Sequence, residues 1–220
     1  MIETSKFNAA SEPVAPLWPP GAVGDGTLPA SLPGGRIRRR RYLIRLIDAA
    51  ARRRVTLLCA PPRSGKTVAC AAWAQARSAE CRVIWLALHT ESDQQWLWAS
   101  VCAGLRRAGV LPEEVMHRLE EEPAEGFPLQ LAVASWHLGA PVTVVIDNVH
   151  RLTDQAVLAG LDQLIRHAPE RLHFVMSGRR PPRLQLARLR AAGDLSDIGA
   201  DDLAGRHAAA GDAMGLIPGG

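Results

Sequence analysis

Lysine is almost absent from this chain. Of its 26 basic residues only Lys6 and Lys66 are lysines, and past residue 6 all other positive charge is arginine. Lys66 is therefore not ordinary surface charge. Cysteine is sparse as well: Cys59, Cys70, Cys81 and Cys102 show no C-x-x-C spacing, and each lies inside an apolar run. That argues against a disulfide framework or a zinc site and predicts buried, reduced thiols. Residues 1–8 hold Glu3 and Lys6 with no apolar core behind them, so no secretory signal is expected. The longest apolar stretch, 129–146, is interrupted by Gln130, His137, Gly139 and Pro141, too often to span a membrane. No internal repeat emerges. A cytoplasmic location is expected.

What is present is ordinary in bulk: 220 residues, 47% hydrophobic and 22% charged, enough for one good core. The net charge of +4 is uneven. Residues 36–54 hold nine arginines against one acid, Asp48, and the rest of the chain sums to −4. Such a block could contact nucleic acid. It lacks interleaved aromatics beyond Tyr42 and any recognition-helix pattern. A solvated helix face beside a ligand pocket is the preferred reading.

Residues 1–35, with six prolines, read as a flexible lead-in. From Arg41 the pattern turns helical through Leu43, Ile44, Leu46 and Ile47. Strands then read near 55–59, 82–87, 142–147 and 172–177, with a short one near 195–198. Helices read near 66–78, 94–108, 129–138, 155–167 and 184–192. The acidic stretch from Glu113 to Glu125 reads as a solvated helix and loop. This alternation predicts an α/β domain over 36–204, a parallel sheet with helices on both faces. Residues 205–220 read as an unstructured tail.

The lone lysine of the body sits in Ala60-Pro61-Pro62-Arg63-Ser64-Gly65-Lys66-Thr67, a G-x-x-x-x-G-K-[ST] phosphate-binding loop with Ala in place of the first Gly. An ammonium on a flexible stem suits a polyphosphate as a guanidinium fork does not. An apolar run, 55–59, precedes the loop and an Ala-rich helical stretch follows it, so strand, loop and helix N-terminus come in the required order. Loop N–H groups favour an anion, and Gly65 lets the backbone approach it. Lys66 is assigned to the β- and γ-phosphates and the Thr67 hydroxyl to Mg²⁺. Ala60, Pro61, Arg63 and Ser64 complete the cradle. Ala60 is tolerable if its φ is negative, and Arg63 is a place for a strained φ.

Residues 142–146 form an apolar run ending in Asp147, which predicts a buried parallel strand carrying an acid at the ligand-binding edge. Asp147 is the candidate second Mg²⁺ ligand (the Walker B carboxylate). Asn148 follows where many ATPases carry a second acid; it can hold a water but not take its proton, so slow hydrolysis is expected. After the next strand, Arg179 is a candidate reporter of the γ-phosphate, with Arg180 as alternate.

The series Arg41-Tyr42-Leu43-Ile44, the Ala-Pro loop, Val83-Ile84-Trp85-Leu86-Ala87-Leu88, Asp147-Asn148-Val149-His150, Ser177-Gly178-Arg179 and Leu186-Ala187-Arg188-Leu189-Arg190 resembles the nucleotide-binding domain of MalT-type LuxR-family regulators, STAND-class signalling P-loop ATPases. The resemblance spans about 36–204. It implies a P-loop NTPase fold, ATP/ADP and Mg²⁺ as ligands, and a nucleotide-controlled switch to a self-associating form. Lys66, Thr67 and Asp147 carry over directly, Arg179 as the arginine after the sensor strand and His150 as the Walker B histidine. Asn148 and Arg63 depart from the pattern. After Leu203 no lid, sensor repeat or helix-turn-helix is patterned, so direct DNA binding is not expected of these residues. The expected function is a nucleotide-binding signalling domain, at most a weak ATPase. The alternatives are a non-catalytic partner of full-length relatives, or a degenerate remnant.

Overall fold

Five β-rich runs become five parallel strands: β1 (Val55–Cys59), β2 (Arg82–Ala87), β3 (Val142–Asp147), β4 (Leu172–Gly178) and β5 (Leu195–Ile198). The computed structural model describes residues 34–77, 80–88, 94–122 and 125–205. The sheet order is β2-β3-β4-β1-β5, so the first strand lies between the last two. Register sets Ala87 beside Asp147, Asp147 beside Ser177, and Cys59 beside Gly178. The C-terminal ends of four strands therefore form one level rim. Every residue of β3 is buried, as an apolar run in a central parallel strand requires.

Successive strand residues face opposite ways, and the core divides accordingly. Leu58, Val145 and Val175 face α1 (Gly34–Ala50) and α2 (Lys66–Arg77), where Ile47 and Trp73 are buried with them. Leu57, Val144 and Phe174 belong to the other core. There they join side chains of α3 (Gln94–Ala108), α4 (Glu113–Glu121), α5 (Phe127–Ala134) and α6 (Gln155–His167), Trp98, Met116, Phe127 and Leu161 among them. Asp154 caps α6, its carboxylate accepting from Ala156 N at 2.8 Å and Val157 N at 3.4 Å. The short helices α7 (Leu186–Ala191) and α8 (Ala200–Ala204) flank β5.

Several expectations need adjusting. The helix expected near 129–138 begins at Phe127, with Pro128 in its first turn, and ends in a 3₁₀ turn, Ser135–His137. α1 starts at Gly34, ahead of Arg41. The acidic stretch is not merely solvated: α4 buries Val115, Met116 and Leu119, and Arg106 of α3 ties it down by pairing with Glu113 at 2.9 Å and with both carboxylate oxygens of Glu120. The arginine block does not all lie beside the pocket. Arg53 and Arg54 precede β1, at the opposite edge of the sheet from the loop. Arg53 donates to Gly193 O, and Arg54 to the carbonyls of Ile165 and Ala168 at the C-terminus of α6. The lead-in up to residue 33 and the tail from 206 lie outside the described residues.

No helix among the described residues is long and apolar enough to cross a membrane. Cys70 and Cys102 are buried free thiols, and Cys59 and Cys81 are half-buried and free.

Close helix packing makes Gly160 a test of this core. A Cβ there would lie 2.7 Å from Pro128 Cγ and 2.9 Å from Trp98 Cζ2. Alanine gains about 1 kcal/mol of helix propensity, but overpacking costs about 1–3 kcal/mol. Gly160→Ala is expected to lower the urea midpoint; an unchanged or higher midpoint would mean that α3, α5 and α6 separate freely.

Candidate functional site

β1 runs out at Cys59, and the chain bends into the loop as Ala60 N donates to Gly178 O at 3.3 Å. Ala60 keeps a negative φ, so the missing glycine costs nothing there. Arg63 takes φ 62° and Gly65 φ 87°. A Cβ on Gly65 would meet nothing within 4 Å, so backbone angle rather than crowding calls for glycine. α2 begins at Lys66, and its N-terminus faces the space above the loop.

Lys66 is buried, and its Nζ donates to Ala60 O and Pro61 O, both at 2.8 Å, and to Ser64 Oγ at 3.1 Å. Burial pulls its pKa below the ordinary lysine value. The Asp147 carboxylate opposes that shift and the Arg179 guanidinium adds to it. The ammonium thus reaches both ends of the loop.

Asp147, only 5% exposed, joins three elements. Its Oδ2 accepts from Thr67 Oγ1 at 2.9 Å, across 80 residues of sequence. Its Oδ1 accepts from Asn148 N at 3.0 Å and from the hydroxyl of Ser177, which is fully buried at the end of β4. A hydroxyl and a carboxylate oxygen side by side, with phosphate and water to complete the shell, suit Mg²⁺, which takes few protein ligands and keeps its waters. Among the described residues no group of three His, Cys, Asp or Glu side chains gathers in the manner of a structural metal centre.

Beyond Asp147 the chain turns sharply. Asn148 sits at φ 61°, a left-handed conformation that asparagine tolerates, and opens the 3₁₀ turn Val149–Arg151. This swings His150 against the end of β4, where its Nδ1 accepts from Arg179 N at 3.4 Å. In the neutral ring that places the proton on Nε2. Burial lowers the His150 pKa below its ordinary value, and Arg179, Arg151, Arg180 and Lys66 lower it further. Gly178 allows the close approach: a Cβ there would stand 3.1 Å from Val149 Cγ1 and 3.3 Å from His150 N. Arg179 and Arg180 are exposed.

Loop, helix N-terminus, strand-end carboxylate and strand order now stand together. No protein-family model matches the chain. Solved structures do. Cdc6p from Pyrobaculum aerophilum superposes with a TM-score of 0.52 at 16% identity, over 80% of this chain and 48% of that one. The Aeropyrum pernix Orc1 protein, solved in complex with DNA, gives 0.51 at 16% identity, over 78% and 46%. The fold is that of an AAA+-like P-loop NTPase. The chain spans about half the length of these structures.

Within this P-loop NTPase-like fold the structure gathers Ala60 to Thr67, Asp147, Asn148, His150 and Arg179 on one rim. Arg179 reaches the group by its backbone and by its field on Lys66 and His150. Ser177 is the residue that sequence reasoning missed. Its place at the strand end and in the Ser177-Gly178-Arg179 segment carries no role in the sequence, although a hydroxyl ending an apolar strand next to the acid-bearing one is the available signal.

Proposed function

We propose that the chain binds ATP and ADP with Mg²⁺ as a STAND-type signalling domain similar to those of MalT-type regulators, and turns ATP over slowly. The AAA+-like fold supports nucleotide binding. The observation that carries the reading is the 2.9 Å bond from Thr67 to Asp147, which brings the two Mg²⁺-binding groups together at the loop. When bound there, Mg²⁺ would neutralise phosphate charge. The residues of the chain do the rest. Loop N–H groups and Lys66 hold the phosphates, Ser177 and Asn148 N orient the Asp147 carboxylate, and His150 and Arg179 face the approach to the γ-phosphate.

Calorimetry on the full chain tests this. ATP and ADP should bind, and more tightly with Mg²⁺ than with a chelator. Absence of binding, or binding indifferent to Mg²⁺, would overturn the assignment.

Asn148 supports slow turnover, since an amide accepts no proton from an attacking water. The rate is expected to lie well below the enzyme median of about 10 per second. Aspartate also tolerates a left-handed backbone, so Asn148→Asp should fold normally and raise the steady-state rate of phosphate release. A fast parent protein would place the base elsewhere. Arg53 and Arg54 of the arginine block are engaged with backbone carbonyls and so are not offered to DNA.

A further inference from the structure

A groove of about 140 Å³ opens between α6 and α7, and none of its lining residues belongs to the rim. Its floor is apolar: Ile165 is buried in the core and Leu189 packs beside it. The groove reaches Asp194, whose carbonyl accepts from Val55 N where β1 begins, at the opposite edge of the sheet from the loop. Arg54 braces the two walls. Its guanidinium donates to Ile165 O and Ala168 O on the α6 side and stands 3.7 Å from the Asp194 carboxylate on the other.

Above that floor the groove holds charge of both signs that the protein does not pair off. Asp162 of α6 accepts from Gln185 N at 3.0 Å through Oδ1, and its Oδ2 has no hydrogen-bond partner among the described residues. Arg166 stands on the α6 wall and Arg188 on the α7 wall, both exposed. Neither guanidinium makes an ion pair or a hydrogen bond among the described residues. Burial raises the Asp162 pKa, and the bond from Gln185 N and the fields of Arg166 and Arg188 oppose the rise. A cation placed beside this carboxylate would favour its charged form further.

A ligand that satisfies the groove carries a cation for Asp162, an anion for the two guanidinium groups and a compact apolar body for the floor. An anion alone would meet the Asp162 carboxylate, and a cation alone the two arginines. A cavity of about 150 Å³ takes a benzene-sized group. We propose that the α6–α7 groove binds a free aliphatic α-amino acid, its ammonium on Asp162, its carboxylate on Arg166 and Arg188, and its side chain on Ile165 and Leu189. This inference does not depend on the nucleotide reading.

The groove is open to solvent, so a dissociation constant of about 1 mM is expected, within reach of amide-signal titration of the full chain by NMR. L-Leucine should shift the signals of Gln185 and Leu189 and leave those of Gly65 and Lys66 in place. 4-Methylpentanoate lacks the ammonium and 3-methylbutylamine lacks the carboxylate. Each should bind about tenfold more weakly or worse, because one charge-assisted contact is lost. Asp162→Asn keeps an acceptor for Gln185 N and removes the charge, and Arg166→Gln with Arg188→Gln removes the opposite charge. Both variants should weaken leucine binding by a similar factor, with a urea curve to show that each keeps its fold. No shift at about 20 mM L-leucine would overturn the proposal. So would an analogue that binds the parent chain as tightly as leucine, or a folded variant that binds leucine as the parent does.

Discussion

Lys66→Ala is expected to weaken ATP binding by about 100-fold or more. A hydrogen bond to a charged group contributes roughly 1.5–3 kcal/mol, and each 1.4 kcal/mol is about tenfold in affinity. An ammonium shared between two phosphates supplies two such bonds. Lys66 is the only lysine among the described residues. The substitution also removes the bonds from Nζ to Ala60 O, Pro61 O and Ser64 Oγ, so the loop loosens locally. Calorimetry beside a denaturation curve separates the two effects. Equal binding by a folded Lys66→Ala protein would remove the loop from the nucleotide site.

Asp147→Ala should act on stability first. Three donors converge on that carboxylate, and Ser177 and Thr67 belong to elements far apart in sequence. Leaving a buried donor without a partner costs about 1–3 kcal/mol. Thr67 is partly exposed and can turn to water, whereas Ser177 cannot. A loss of about 2–4 kcal/mol is expected, large against the roughly 5–15 kcal/mol that holds a domain together. Urea denaturation gives the figure. Asp147→Asn keeps the shape and one acceptor oxygen, so it should fall between the alanine variant and the parent, and both should lose the Mg²⁺ dependence of binding. An alanine variant as stable as the parent would mean that Asp147 does not organise the rim.

The strands were legible because each is a short β-rich run between turn residues, and β3 is apolar until Asp147. The loop was legible because a single lysine stands out in an arginine-rich chain. Other features depend on pairings that only folding makes. Ser177 looks like any strand serine until register sets it beside Asp147. Arg53 and Arg54 count as surface charge until β1 carries them to the end of α6. The exposed side of α5 sets Leu129 and Val133 beside a single polar residue, Gln130, so periodicity separates its two faces poorly.

The strand order has a consequence for how the site comes into being. β1 leads into the Ala60–Thr67 loop and is the first strand among the described residues, yet its sheet neighbours, β4 and β5, are the last two of them. β2 and β3 can pair as they emerge, while β1 waits more than a hundred residues for an edge to join. The Thr67–Asp147–Ser177 junction closes only when that wait is over. A nascent chain reaching residue 150 holds the whole motif but has no rim to bind with. On the proposed reading, nucleotide would recognise completion of the sheet rather than the motif, and by binding only the finished form it would draw the late, slow pairing of β1 toward the folded side.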